Sequence, residues 1–105
     1  NEFQAIVNVD GGELTVKSDP FTPNNDGMND FASFNCEDFK LNDPVIKIFD
    51  VRGKSICELR ELSADKRFIW DGRDRNGNRL ATGAYLYILV DNGQPLKRGS
   101  VTLIR

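Results

Sequence analysis

The sequence predicts an all-β domain, and three observations carry that prediction. Val, Ile, Thr, Phe and Tyr arrive in short bursts, Gly, Pro, Asn and Asp separate the bursts, and no long stretch sustains the apolar period of an amphipathic helix. In order, the bursts place strands at 13–17, at 31–34 with a continuation near 39–41, and at 45–49, 55–59, 67–70, 84–90 and 100–104. The connections carry turn chemistry. Gly53 lies in the 50–54 turn, Asn76-Gly77 in the 75–78 turn, and Asn92-Gly93 follows the 84–90 strand, so neighbouring strands are expected to pair as antiparallel hairpins. Only 59–66 has room for a helical turn, which is too short for a βαβ crossover, so a parallel sheet is not expected. About seven antiparallel strands give an immunoglobulin-like β-sandwich. Trp70, Ile48, Phe49, Tyr85, Leu86 and Leu103 are expected in or beside its core.

The chain has 105 residues, of which 39% are hydrophobic and 29% charged, values that suit one soluble domain with a core needing neither metal nor disulfide lattice. Residues 1–12 are weakly periodic and read as a tail or a first strand, with the sandwich over 13–105. The sequence begins at Asn1 without Met, as expected of a piece of a longer protein. The longest apolar run, 84–90, is far below the roughly 18 residues of a membrane-spanning helix, so no membrane span is expected.

The net charge of −2 argues against the broad basic surface of a nucleic-acid binder. The charge is uneven, with three bases and ten acids in 1–50 against eleven bases and six acids in 51–105. The two cysteines, Cys36 and Cys57, fit either one disulfide in an oxidising compartment or two buried thiols. With no His in the chain, Ser/His/Asp triads, Cys/His dyads and His-based zinc sites are absent, and an enzyme is not expected. Two carboxylate pairs remain as glycosidase candidates, Asp71 with Asp74 and Asp26 with Asp30, but both sit in turns where Asp serves the backbone.

The densest polar cluster runs from Asp19 to Asp30. Its oxygens can cage a calcium ion, with Asp26 and Asp30 as carboxylate ligands and Asn24 and Asn29 as auxiliary ones. The spacing does not fit an EF-hand, and an Asx-rich turn closed on its own backbone explains the same composition. A second polar loop, 71–79, holds Arg73, Arg75 and Arg79 among Asp and Asn; it reads as a basic knob for an anionic partner or as a solvated hairpin with Asp and Arg paired across it. Trp70 is expected as a core anchor rather than a ligand platform. Tyr85 and Tyr87, two apart on one strand, face the same way, as core packing or as an aromatic stripe for a glycan.

Several of these motifs resemble one family. Pro20-Phe21-Thr22-Pro23-Asn24-Asn25-Asp26-Gly27-Met28-Asn29-Asp30 is similar to the opening of the gliding-motility-associated C-terminal domains of Bacteroidetes surface proteins. Val45 to Gly53, Trp70-Asp71-Gly72 with Asp74-Arg75-Asn76-Gly77, Leu80-Ala81-Thr82-Gly83-Ala84-Tyr85-Leu86-Tyr87 and the 99–105 ending resemble later segments of the same pattern, so that the likeness covers about 18–105. Parts of the pattern are shared with the C-terminal sorting domains of type IX secretion cargo and with the immunoglobulin-like domain of flagellar hook-capping proteins. Ala81 stands where Pro is frequent, and the cysteines lie outside the pattern.

The resemblance implies a non-catalytic C-terminal module of an exported protein that passes through the periplasm and is then secreted or held at the cell surface. Its partners would be the secretion apparatus or an outer-membrane receptor, and the N-terminal domains of the parent protein. The last strand, with Val101, Thr102, Leu103, Ile104 and Arg105, is the expected sorting determinant. The alternative is a calcium-stabilised spacer or adhesion module of a cell-surface protein or glycanase.

Overall fold

The computed structural model describes residues 14–17, 20–24, 30–36, 41–60 and 67–105. Seven strands run through them: β1 (Thr15–Lys17), β2 (Ala32–Asn35), β3 (Pro44–Phe49), β4 (Ser55–Arg60), β5 (Arg67–Trp70), β6 (Gly83–Asp91) and β7 (Gln94–Leu103). Six have four residues or more, and β1 is a three-residue stub. They form a three-stranded sheet, β1-β2-β5, and a four-stranded sheet, β4-β3-β6-β7, and every strand pair is antiparallel. The chain makes β1 and β2 in the first sheet and β3 and β4 in the second, returns for β5 and crosses back for β6 and β7. This is the immunoglobulin-like sandwich, and it confirms the predicted fold class.

Residues alternate across each strand, so one set from each sheet meets inside. Phe34, Phe68 and Trp70 come from the first sheet, and Ile46, Ile48, Tyr85, Tyr87, Val101 and Leu103 from the second. The rings interlock in edge-on contacts: Phe34 meets Tyr87 at 5.0 Å between centroids and 66° between planes, and Trp70 meets Tyr85 at 5.3 Å and 70°. Phe49 and Leu86 border the main core rather than entering it. They face each other across the β3–β6 pair and pack with Ile88 and Val90 in a second apolar cluster, offset by one residue from the Tyr85, Tyr87 and Leu89 that enter the main core. An unbroken apolar run like 84–90 is what a strand needs when both of its faces are covered.

Most strand ends fall within a residue or two of the sequence reading, and two differences are larger. The last strand begins at Gln94, not Ser100, because Asn92 (φ 51°) and Gly93 (φ 80°) make a two-residue turn that pairs Asp91 directly with Gln94. Pro95 cannot donate to a ladder and masks this start, but it sits opposite Val90 where the register shifts, on an outer strand that tolerates it. The continuation near 39–41 is not a strand at Leu41, and Phe39 lies outside the described residues, as does the 1–12 tail. The two cysteines are buried free thiols. Desolvation pushes the Cys57 thiol up to about 11, with the Asp71 carboxylate adding to the shift, so this sulfur stays protonated and is a poor nucleophile.

Candidate functional site at the tip of the last strand

Three segments of the predicted pattern converge where β7 ends. Val101 and Leu103 point into the core and are fully buried, whereas Ile104 is 40% exposed. The outer edge of this tip is covered by Phe21, which pairs with Leu103 in parallel. The Phe21 N–H donates to the Thr102 carbonyl at 3.0 Å, and the Ile104 N–H donates to the Phe21 carbonyl at 2.9 Å. The Phe21 ring is fully buried and lies 5.4 Å from the Trp70 ring. Phe21 therefore forms an isolated parallel bridge that covers the outer edge of β7 at its last residues.

Arg105 fastens the tip. Its backbone N–H donates to Thr82 Oγ1 at 2.8 Å, and its guanidinium donates to the carbonyls of Leu80 (2.5 Å), Gly72 (3.0 Å) and Pro23 (3.5 Å). A planar fork of fixed donors suits three carbonyls arriving from two separate connections, Gly72 and Leu80 from the one between β5 and β6 and Pro23 from the one before β2. Gly72 makes this approach feasible. It has φ 80°, and a Cβ built there would lie 2.5 Å from Leu103 Cδ1 and 3.4 Å from both Arg105 Nη2 and Pro23 Cγ, so the Trp-Asp-Gly turn must end in glycine to sit against the strand.

The 71–79 loop is a small hairpin closed by its own aspartates. The Asp74 carboxylate accepts the Asn76 and Asn78 N–H groups, each at 2.9 Å, and the Asn78 amide at 3.2 Å. These bonds, the Asn78 N–H first, hold its acid below the ordinary carboxylate range. Asp71 accepts the Arg73 N–H at 3.2 Å. Asp71 and Asp74 are thus turn formers, as the backbone reading of the sequence expected. Arg75 is a bracket: its N–H and Nε donate to the Ile56 carbonyl, and its Nη2 donates to Ser55 Oγ at 2.8 Å, which caps the start of the exposed β4 edge. Trp70 is 1% exposed and donates its indole N–H to the Arg73 carbonyl at 3.0 Å, a core anchor that also holds the loop. Tyr85 is no glycan platform. It is buried and donates its hydroxyl to the Ala81 carbonyl at 2.7 Å, the tyrosine corner of immunoglobulin-like domains, and burial raises its pKa.

Of the expected calcium ligands, Asn24 and Asp30 line a cleft of about 340 Å³ beside the Arg105 clasp, while Asp26 and Asn29 lie outside the described residues. Among the described residues no three His, Cys, Asp or Glu side chains come together as a metal site. Also among them, no helix is long and apolar enough to cross a membrane. The clasp itself was not legible beforehand: nothing in the sequence marks Arg105 as a partner of Gly72, although both lie in segments that the family resemblance singled out.

The family model described as the CHU_C type IX secretion signal domain matches residues 14–103. Among solved structures, PorZ, an essential bacterial surface component of the type IX secretion system of Porphyromonas gingivalis, aligns with a TM-score of 0.63 at 22% identity. That alignment covers 88% of this chain and 11% of PorZ. A polysaccharide deacetylase from Bacillus cereus aligns with a TM-score of 0.52 at 19% identity, over 87% of this chain and 29% of the deacetylase. At such identities both likenesses concern the fold, and the chain spans only a small part of either structure. No curated protein matches the sequence.

Proposed function

Because the chain belongs to the type IX secretion signal domain family, we propose that it sorts its parent protein for export by being recognised as a folded module, with the clasped tip of β7 as the determinant. The parent is an exported protein, and the domain contacts the secretion system. The finer reading is that a component of the apparatus, or an outer-membrane receptor, engages 101–105, after which the parent is released or held at the cell surface. The observation that carries this reading is the convergence on the β7 tip. Phe21, Gly72 and Leu80 belong to three separate motif segments, and all three contact residues 102–105. A motif pattern spent on one exposed corner fits recognition better than catalysis, and the carboxylates of the 71–79 loop are occupied by their own turn.

The test fuses residues 14–105 to a periplasmic reporter in a host with type IX secretion. The intact domain is expected to carry the reporter to the surface, and removal of 100–105 to abolish delivery. A Trp70→Ala fusion, destabilised but with the tip present, and an Arg105→Ala fusion, folded but without the clasp, together separate a recognition defect from a folding defect. If the folded domain fails to deliver the reporter, or delivers it equally well without 100–105, the spacer reading replaces the sorting one.

Calcium at 24–30 is a separate proposal, resting on the oxygen-rich composition of that segment. Saturation at a hundred times the dissociation constant would add about 2.7 kcal/mol, or roughly 10 °C in melting temperature. Identical melts in excess calcium and in chelator would remove calcium and leave the Asx-turn account.

A further inference from the structure

The cleft beside the clasp holds an arrangement that the fold does not need. Arg73 and Arg79 are directly opposed residues of an antiparallel bridge, so their side chains leave the hairpin on the same face, and both line the cleft together with Arg105. Like charges placed directly opposite each other destabilise a strand pair. Arg73 is only weakly compensated: its Nε lies 3.7 Å from Asp71 Oδ2 with both side chains about half exposed, and its Nη1 reaches the Gly77 carbonyl at 3.4 Å. Arg79 makes no hydrogen bond or ion pair among the described residues. The three carbonyls around Arg105 take one bond from each of its guanidinium nitrogens but leave its charge in place. Asp30 and Asp71 supply two carboxylates against these three guanidinium groups. The remaining wall is apolar, formed by Pro23 and by Phe31, a residue 53% exposed and one of four large apolar residues open to water among the described residues.

We propose that this cleft binds a carboxylate side chain of an extended acidic peptide, with Arg79 and Arg73 taking the carboxylate and Phe31 covering an adjacent apolar side chain. A forked guanidinium matches a carboxylate through two parallel N–H···O bonds, and two such groups on one face offer more donors than Asp71 uses. The shape argues against other anions of macromolecular origin. One cleft of about 340 Å³ in a chain of net charge −2 gives no continuous basic track for a nucleic-acid backbone. The peptide site stands apart from the sorting reading, since it concerns what the cleft holds and not whether the domain directs export.

Trp70 provides one readout. It is the single tryptophan of the chain, and its indole N–H is bonded to the Arg73 backbone carbonyl, which places an emission probe beside the cleft; titration calorimetry measures the binding itself. The purified domain is titrated with a blocked Asp-Glu-Phe-Asp-Glu peptide, with its Asn/Gln counterpart and with inorganic phosphate, at low salt. The acidic peptide is expected to bind saturably and the neutral one not to bind. Arg79→Gln should weaken binding about tenfold or more, while leaving the melting temperature unchanged or higher, because it removes the like charge opposite Arg73. Arg52→Gln, an equal loss of charge on the β3–β4 turn, should change binding by less than about twofold. Absence of saturable binding, equal binding of the neutral peptide, or indifference to Arg79→Gln each overturns the site. Phosphate binding as tightly as the peptide overturns the peptide assignment.

Discussion

Replacing Trp70 by alanine is expected to cost about 3–5 kcal/mol, the range for emptying a large aromatic site in a core that cannot collapse around the loss. The ring is 1% exposed and is wedged between Phe21, bridged to the end of β7, and Tyr85 of β6. Its removal also frees the Arg73 carbonyl and with it the base of the 71–79 hairpin. A domain of this size has about 5–15 kcal/mol of total stability, so the variant should melt more than about 12 °C lower. The single tryptophan disappears with the substitution, so the measurement is urea unfolding followed by far-ultraviolet circular dichroism. A loss below about 1 kcal/mol would mean that the indole is not holding the two sheets together.

The sequence made the strands legible because their signal is local. β3, β4, β5 and β6 begin and end within a residue of where β-branched and aromatic bursts meet turn residues. Fold class follows from the same features, since Asn92-Gly93 and the 50–54 turn leave only antiparallel pairing. The start of β7 was hidden because Gln94 to Gly99 carries no strand signature of its own; β6 and a two-residue turn impose pairing on it. The same distinction governs the site. That Asp71 and Asp74 would serve their turn was readable from spacing, as both bond to N–H groups two to four residues on. The Arg105 clasp joins residues 25 to 82 positions apart, and Arg75 reaches 19 to 20 residues back to β4. Contacts of that range leave a trace in sequence only as motifs without an evident local purpose, such as the Phe-Thr-Pro segment and the Trp-Asp-Gly turn.

Deleting residues 100–105 should unfold the domain, whereas Arg105→Ala should only weaken it. The deletion removes Val101 and Leu103, two fully buried side chains, each worth about as much as a Leu-to-Ala core truncation, roughly 2–5 kcal/mol. It also unpairs Gly83 to Leu86 of β6 and takes away both backbone bonds of Phe21, so the buried Phe21 ring loses its anchor and the sheet gains an open edge. Together these losses approach the whole stability of a domain this size. Arg105→Ala keeps the strand, the Phe21 pairing and the core, and gives up only the guanidinium bonds to Leu80, Gly72 and Pro23. At the surface these are worth about 1–2 kcal/mol in sum, because water replaces the fork at the freed carbonyls. In urea, the deletion is expected to show no cooperative transition, and Arg105→Ala a transition displaced to a lower midpoint with an unchanged slope. A cooperative transition near the parent midpoint for the deletion would show that the sandwich closes without the β7 tip. The difference between the two variants also sorts the export assay: a folded Arg105→Ala domain that no longer delivers its reporter assigns the loss to the clasp geometry and not to unfolding.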